Sequence, residues 1–406
     1  MKSVLVIGGG PAGMMAAGIA AQRGLKAALA ERNPILGKKL RITGKGRCNL
    51  TNCSDAATHM ANAVDNPKFL HSALSAFTSA DLMKLIEGLG VPLKVERGNR
   101  VFPESDMSSD IVGALARFLK KSQVQTLVGE RIESLAISNG VITGARASSG
   151  LIGADCVILA TGGMSYPLTG STGDGYKLAS QAGHSIVAPK PALAAITVSE
   201  SWVGELEGLS LKNVTLALLS NSKKIYKDLG EMLFTDKGVS GPLALSASCY
   251  LRKAPSATIA IDLKPGLDEA QLDVRILRDF SESPNKELQN ILPKLLPAKM
   301  IPVAISLSGI PAEKRARDIS KEERQRLTRL LKRLELTVKG TAGFAEAIIT
   351  SGGVNAKEVS PSTMESKLVK GLYFAGEILD VCSLTGGFNL QVAFSTGYLA
   401  GMKCLA

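Results

Sequence analysis

The chain has 406 residues, of which 45% are hydrophobic, 21% charged and 4% aromatic. This composition argues against disordered, collagen-like and membrane-spanning proteins and predicts a globular protein of about two or three domains. The net charge of +12 is compatible with nucleic acid, a membrane surface or an anionic cofactor and substrate. Six cysteines in so long a chain form no disulfide framework and no zinc-binding pattern, so we expect a cytoplasmic protein without a metal site.

The first elements in chain order form a β-α-β unit. Val4 to Ile7 is a β-branched apolar run, Met14 to Arg23 has the composition of an Ala-rich helix, and Ala27 to Glu31 predicts a second strand. Such a unit builds a parallel sheet. Residues 37–53 are rich in glycine and basic side chains and predict a long ordered loop, a feature that is usually functional in compact domains.

The rest of the chain alternates between helical and strand-like patterns. These are helices over 67–121 around a turn-rich stretch at 97–103, strands over 124–147 and 157–160, a β-rich region after Pro191, a charged helical region over 266–333, a strand at 334–338, and strands, glycine-rich turns and a closing helix over 344–406. The change after Pro191 indicates a separate domain.

The motif after the first strand, Gly8-Gly9-Gly10-Pro11-Ala12-Gly13, matches G-x-G-x-x-G. Gly8 allows the tight turn, Gly10 lets the backbone approach a pyrophosphate at the helix N-terminus, and Gly13 permits close packing of helix and strand. Glu31 ends the second strand, where its carboxylate can accept hydrogen bonds from ribose hydroxyls. Motif and context together predict the binding of a dinucleotide, either NAD or FAD.

Three further segments resemble parts of an FAD site. Ala160-Thr161-Gly162-Gly163 resembles the A-T-G-G motif of flavoproteins with a Rossmann domain of the glutathione-reductase type. The run from Leu372 to Gln391 resembles the second half of a two-part FAD site. Residues 37–52 read G-K-K-L-R-I-T-G-K-G-R-C-N-L-T-N. This loop is similar to the signature of the BaiN-like (YhiN-like) flavoprotein family, whose members are also called aminoacetone-oxidase-family FAD-binding proteins.

The resemblance extends over essentially the whole chain. It departs at Asp236, where many relatives carry His, and at Cys382-Ser383, where Asp-Gly is common. It implies an α/β fold in which a Rossmann-type FAD-binding domain is split by an inserted β-barrel-like domain with a small helical subdomain. The expected segments are 1–190 and 346–406 for the FAD-binding domain, 191–265 and 334–345 for the β-rich insert, and 266–333 for the helical insert.

The glycine motif and the resemblance together predict a set of FAD-contacting residues. They are Gly8, Gly10, Pro11, Ala12, Gly13, Glu31, Arg32, Lys39, Gly46, Arg47, Cys48, Asn49, Val128, Ala160, Thr161, Gly162, Gly163, Gly376, Glu377, Asp380, Gly386, Gly387, Asn389, Leu390 and Gln391. The catalytic residues stay unassigned, with Tyr166 and Arg47 as the candidates. A basic loop beside the glycine motif is more consistent with a pyrophosphate or an anionic substrate than with RNA.

We therefore expect an FAD-dependent oxidoreductase with NAD(P)H as a transient electron donor. The resemblance implies reduction of a conjugated C=C bond in an oxo-steroid, bile-acid-like or similar apolar enone. The first alternative is a flavin oxidase of a small aminoketone or amine. The second is a flavin-containing protein that binds nucleic acid or a partner, although nucleic acid is disfavoured here and no membrane contact is expected.

Three patterns each allow a functional and a structural interpretation. Cys48 and Cys53 have the spacing of a flavin-linked dithiol, but the chain lacks the second glycine motif and the C-terminal histidine of that class. The run 313–333 has nine basic and four acidic residues, and we interpret it as a solvated helix rather than a nucleic-acid contact. The histidines His59, His71 and His184 fit no triad or metal spacing, so we expect each of them to be structural or exposed.

Overall fold

The computed structural model describes residues 2–254 and 256–406. The chain forms two compact units: unit 1 comprises the residues up to Ala192 together with Gly343–Ala406, and unit 2 comprises Leu193–Ala342. Unit 2 is therefore an insertion in a discontinuous unit 1. The boundaries expected from the sequence, after residues 190 and 345, differ from these by two and three residues.

The first segment of unit 1 contains the following elements. Its strands are β1 (Ser3–Ile7), β2 (Lys26–Glu31), β3 (Thr51–Asn52), β4 (Ala63–Asp65), β5 (Leu93–Glu96), β6 (Arg100–Pro103), β7 (Gln125–Val128), β8 (Ile132–Ser138), β9 (Val141–Ala147), β10 (Gly150–Gly153), β11 (Cys156–Leu159) and β12 (Ile186–Ala192). Its helices are α1 (Pro11–Gln22), α2 (Ala56–Ala61), α3 (His71–Ala76), α4 (Ser79–Gly88), α5 (Ser108–Lys121) and α6 (Asp174–Gln181).

Unit 2 and the last segment of unit 1 follow. Unit 2 contains β13 (Ile196–Val198), β14 (Ser210–Ser220), β15 (Lys223–Thr235), β16 (Gly238–Ser240), α7 (Gly241–Ser248), β17 (Ala257–Asp262), α8 (Glu269–Ser281), α9 (Leu288–Ile291), α10 (Ile301–Ser308), α11 (Lys321–Lys332) and β18 (Leu334–Thr341). The last segment contains β19 (Ile349–Val354), β20 (Leu372–Phe374), β21 (Cys382–Ser383) and α12 (Phe388–Lys403).

A parallel sheet of five strands in the order β20-β11-β1-β2-β7 forms the centre of unit 1. β11 is buried along its whole length, and continuous apolar runs are typical of parallel strands covered on both faces. The glycine motif leaves the carboxyl end of β1, in the middle of this sheet. The predicted Rossmann-type architecture is confirmed.

Small residues allow α1 and α12 to pack closely. A Cβ atom on Gly397 would lie 2.3 Å from the Ala12 carbonyl oxygen, and one on Gly401 would lie 2.6 Å from the Ala16 carbonyl oxygen. Both contacts advance by four residues along each helix, so the two helices run in the same direction. Backbone contact of this kind fixes the position of α12 against α1.

Two local expectations in unit 1 were wrong. The turn-rich stretch at 97–103 belongs to an antiparallel hairpin in which Val95 pairs with Val101, because Gly98 and Asn99 both adopt positive φ and reverse the chain. The loop predicted at 37–53 contains a 3₁₀ segment, Leu40–Gly46, and the short strand β3, which pairs with β6.

Unit 2 is a closed antiparallel barrel in the order β13-β16-β15-β14-β17-β18. Between β17 and β18 the chain forms the helices α8 to α11, and this helical insertion packs on the same apolar core as the barrel. In the basic run 313–333 the helix spans Lys321–Lys332, shorter than expected. Part of its charge is paired within unit 2, at Lys314 with Glu323, Arg324 with Asp273, and Lys332 with Asp262.

Candidate functional site

The turn between β1 and α1 is tight at two glycines and open at a third. A Cβ atom on Gly8 would lie 2.4 Å from the Ala160 carbonyl oxygen, and one on Gly13 would lie 1.8 Å from the Gly8 carbonyl oxygen. A Cβ atom on Gly10 would meet nothing within 4 Å. α1 has no side-chain cap and no acidic residue in its first turn. Its N-terminal N–H groups therefore border free space that favours an anion.

The end of β2 carries a fixed carboxylate. Glu31 is buried and accepts hydrogen bonds from the Gly9 N–H through Oε2 and from the backbone and side chain of Asn33 through Oε1, each at 2.7 Å. Its neighbour Arg32 donates to Thr172 and Asp174 at 2.7 and 2.9 Å. Val128, which pairs with Glu31 across the sheet, is 48% exposed. These predicted residues lie together at one edge of the glycine turn.

Lys39 joins four segments that are distant in sequence. Its Nζ donates to the Ser165 hydroxyl at 2.6 Å and to the Glu377 carboxylate at 2.8 Å. Glu377 Oε1 also accepts from the Ser165 hydroxyl and from the Thr350 N–H, both at 2.9 Å. The sequence predicted Lys39 and Glu377 but missed Thr350, which carries no motif signal. The Lys39–Glu377 pair is about three-quarters buried, so its attraction is screened less than that of a surface pair.

Arg47 is held by acidic residues. Its guanidinium donates to Asp106 and to Glu96 and stacks on the Phe102 ring at 4.1 Å. Hydrogen bonds to Glu96 and Asp106 raise the pKa of Arg47 further above its ordinary value. This arrangement ties the basic loop to the β5–β6 hairpin. The donors of Arg47 are directed at these carboxylates.

The two cysteines of the basic loop differ in environment. Cys48 is fully buried and burial raises the pKa of its thiol to about 12, whereas Cys53 is exposed. Both are free thiols. The Asn49 amide between them donates to the Thr51 carbonyl and accepts from the Gly387 N–H, each at 3.1 Å. A buried neutral thiol packs as a small apolar group.

The C-terminal segment turns sharply before α12. Gly386 and Gly387 both have positive φ, and a Cβ atom on Gly387 would lie 2.4 Å from the Thr51 carbonyl oxygen. Asn389 holds this turn through two hydrogen bonds to the backbone of Ser383, at 2.8 and 3.0 Å. The basic loop and the start of α12 therefore touch through their backbones. Gly46 and Leu390 are half-buried beside them.

Gln391 has an internal role. Its side chain is fully buried, where it accepts from the Thr51 hydroxyl at 2.6 Å and donates to the Phe77 carbonyl and the Ser395 hydroxyl. Asp380 is also buried and accepts from the Asn66 amide at 3.0 Å. In this structure both predicted residues hold neighbouring segments in place.

Tyr166 occupies an unusual backbone position. Its φ is +52°, which a residue with a side chain rarely adopts, and its N–H donates to the Phe344 carbonyl at 2.9 Å. The side chain is half-buried and follows Ser165 directly. Strained backbone of this kind is common at functional sites.

A Ser–His–Glu arrangement was missed by the sequence analysis. His184 Nε2 lies 2.8 Å from the Ser366 hydroxyl and Nδ1 lies 3.2 Å from Glu358. The Ser366 oxygen already accepts the N–H groups of Leu368 and Val369, so both of its lone pairs are used. The saturated hydroxyl cannot act as a nucleophile, so we assign this group to holding its segments together, a structural role of the kind expected for His184.

Comparison with known proteins identifies relatives over nearly the whole chain. The family model described as HI0933-like protein Rossmann domain matches residues 2–403. A 3-dehydro-bile acid delta(4,6)-reductase of Clostridium scindens is 33% identical, covering 99% of this chain and 98% of the relative. A ribosomal RNA dihydrouridine synthase of Haemophilus influenzae is also 33% identical, covering 98% of this chain and 97% of the relative.

Solved structures share the fold. A 3-ketosteroid-delta4-(5alpha)-dehydrogenase of Rhodococcus jostii matches with a TM-score of 0.54 at 15% identity, covering 100% of this chain and 96% of that one. In the described residues, 2–254 and 256–406, none of the helices has both the length and the apolar character that crossing a bilayer requires. One relative acts by its name on RNA.

Proposed function

This chain belongs to the HI0933-like Rossmann family and is an FAD-dependent oxidoreductase, and we propose that it saturates C=C bonds conjugated to a carbonyl group. The observation that carries the proposal is the pair of relatives at 33% identity. A 3-dehydro-bile acid delta(4,6)-reductase acts on double bonds conjugated to a 3-oxo group. Dihydrouridine is uridine saturated at C5=C6, which is conjugated to the C4 carbonyl. The two names therefore describe the same change at the same functional group.

The residues at the carboxyl end of the sheet fit FAD. The open space at Gly10 and the uncapped start of α1 suit a pyrophosphate, and Glu31 suits the adenosine ribose. Lys39 and Glu377 offer a cation and an acceptor to the remainder of the cofactor. When bound, FAD supplies the hydride of the reduction.

Reduction of an enone also requires a proton donor and stabilisation of the carbonyl oxygen, where negative charge develops. Arg47 is directed at Glu96 and Asp106, so we assign it to holding the loop. Tyr166 is the candidate that we retain as proton donor, because it is half-buried, follows Ser165 and has a strained backbone.

We propose uracil in a structured RNA as the substrate. The net charge of +12 favours a polyanion, since neutralised phosphates release counterions. Exposed basic residues also lie on the basic loop and on the adjoining hairpin, at Arg41, Lys45 and Arg97. These side chains could contact phosphates beside a uracil held at the site.

An apolar steroid-like enone is the second candidate substrate. The relative from Clostridium scindens supports it directly. Large apolar side chains are also exposed on the same loop and hairpin and just before α5, with Ile42 at 44%, Val95 at 51% and Met107 at 57%. Such a surface can receive an apolar ring system.

Anaerobic turnover distinguishes these substrates. The holoprotein is first mixed with NADH or NADPH, and bleaching of the flavin identifies the electron donor; chemical reduction replaces this step if neither nucleotide reacts. The reduced protein is then given unmodified ribosomal RNA or a 4-en-3-one steroid. The proposal expects reoxidation of the flavin by RNA, with dihydrouridine found after nuclease digestion and mass spectrometry. Reoxidation by the steroid alone supports the second candidate, whereas reaction with neither, together with peroxide release in air, refutes conjugated C=C reduction.

A further inference from the structure

The barrel of unit 2 ends on one side in a tight hairpin formed by β14 and β15. The two strands are joined by Asn221 and Ser222, which both have positive φ, as a two-residue type I′ turn requires. Directly beside the turn, Ser220 pairs with Lys223 across the hairpin and with Ala257 of β17 on its other side. The tip of this hairpin is therefore a fixed part of the barrel and not a free loop.

Basic side chains cover this tip. Three of them are exposed lysines of β15, which we call the lysine tip: Lys223, Lys224 and Lys227. A further exposed lysine, Lys253, lies close by, because its N–H donates to the Tyr250 carbonyl at 3.0 Å and the Tyr250 ring centre is 5.3 Å from that of Tyr226 on β15. Two segments of unit 2 thus bring positive charge to one end of the barrel.

The surrounding sequence offers few carboxylates to these charges. No Asp or Glu occurs between Glu207 and Asp228, or between Asp236 and Asp262, and these two intervals supply β14, the turn, α7 and most of β17. The helical insertion differs, since there Lys332 lies 2.7 Å from Asp262. A cluster of like charges with so few counter-charges attracts anions.

The chemistry of the tip fits a helical polyanion better than a membrane or a base. The five residues from Ser220 to Lys224 include no apolar side chain, although stable membrane attachment combines basic residues with an inserted apolar group. Tyr226 is buried and therefore offers no face on which a base could stack. Lysine ammonium groups contact phosphates as compact point charges.

We propose that the lysine tip binds the phosphate backbone of a helical segment of RNA, an inference that rests on the RNA substrate proposed above. Contacts to phosphates fix the position of a nucleic acid without reading its sequence, and double-stranded RNA is recognised largely in this way. The lysine tip contains none of the residues assigned to FAD or to proton donation. It therefore contributes to the affinity for RNA and not to the hydride transfer.

The test compares two variants of the full-length holoprotein that lose the same number of positive charges. The tip variant replaces all three lysines of the lysine tip by glutamine. The control variant makes the same change at three exposed lysines of unit 1: Lys84, Lys120 and Lys121. Binding of a fluorescently labelled RNA duplex is measured by anisotropy at several salt concentrations. The tip variant should bind roughly tenfold more weakly, with a slope of log affinity against log salt that is smaller by about two to three, whereas the control should stay within about twofold of wild type.

Two further measurements separate charge from structure and binding from chemistry. Replacement of the lysine tip by three arginines should retain the affinity, because arginine keeps the positive charge. With ribosomal RNA as substrate, the glutamine variant should show a KM for dihydrouridine formation that is raised roughly tenfold, with kcat changed less than about twofold. Circular dichroism and thermal unfolding show whether each variant is folded.

The outcomes distinguish this inference from the proposed function. Dihydrouridine formation by wild type, with an unchanged KM in the tip variant or an equal loss in the control, would overturn the lysine tip and leave the RNA substrate standing. Binding lost in the tip variant alone, without dihydrouridine from wild type, would refute the proposed activity and support the tip as an RNA-binding surface. Wild type that binds phosphatidylserine vesicles but no RNA duplex would overturn both.

Discussion

Substitution of two glycines in the same turn should affect different properties, FAD affinity at Gly10 and folding stability at Gly13. Gly10 has φ −82° and ψ −177°, a conformation open to any residue, and a Cβ atom there would meet nothing within 4 Å. Gly10→Ala should therefore leave the apoprotein as stable as wild type. Gly13→Ala would place a Cβ atom 1.8 Å from the Gly8 carbonyl oxygen and should force α1 away from β1.

The magnitudes follow from these distances. In Gly10→Ala the new methyl group keeps the phosphate from the N–H groups at the start of α1. Loss of one charge-assisted hydrogen bond costs about 1.5–3 kcal/mol, which corresponds to a decrease in FAD affinity of roughly ten- to a hundredfold. In Gly13→Ala, overpacking costs about 1–3 kcal/mol, and the gain in helix propensity offsets up to about 1 kcal/mol of this.

FAD affinity is measured by fluorescence quenching during titration of flavin into apoprotein, and stability by thermal unfolding of the same apoprotein. Gly24→Ala is a control for a glycine with open surroundings but positive φ, where the cost is backbone strain without a contact to the site. Binding of FAD by Gly10→Ala within twofold of wild type, or unfolding of Gly13→Ala at the wild-type temperature, would contradict these expectations.

Three further predictions concern side chains. Lys39→Met should weaken FAD binding about tenfold, because it removes a charged hydrogen bond. The control Lys38→Met should bind FAD as wild type does. Both affinities are measured by flavin titration, and equal losses would contradict a specific role for the Lys39–Glu377 pair. Gln391→Leu should cost about 1–3 kcal/mol in urea unfolding because Thr51 loses its buried partner, and adding Thr51→Val should recover part of it. Burial lowers the pKa of His184 below 6.5, so near that pH the imidazole binds a proton more readily in the unfolded chain than in the folded one. The free energy of unfolding should therefore fall as the pH drops through 6.5. Urea titrations at several pH values should show a flatter dependence for His184→Gln.

The β1-α1-β2 unit could be predicted from the sequence because its determinants are local. The apolar run 4–7, the glycines and Pro11 specify strand, turn and helix start within a few residues of one another. Even so, the helix begins at Pro11, three residues before the predicted start at Met14. The reason is that the uncapped first turn contains Ala12 and Gly13, which carry no periodic apolar signal.

The partners of charged residues could not be predicted in the same way. Arg47 belongs to a motif, yet its guanidinium is directed at Glu96, on a hairpin that the sequence did not reveal as strands, and at Asp106, which follows that hairpin. Lys39 donates to Glu377, a residue near the other end of the chain whose carboxylate also accepts the Thr350 N–H. Contacts of this kind depend on which distant segments the fold brings together. A single sequence shows the residue types but not which of them become neighbours.

The packing of α1 against α12 sets the separation between the N-termini of these two helices. Ala12 faces Gly397, and α1 begins one residue before this contact whereas α12 begins nine residues before it. At 1.5 Å per residue, the first turns of these parallel helices are offset by about 12 Å along their axes. Two helix N-termini at such a separation cannot bind one small anion together. They can bind two parts of a long ligand, and this is the arrangement expected if α1 receives the pyrophosphate of FAD and α12 the distant end that carries the flavin ring.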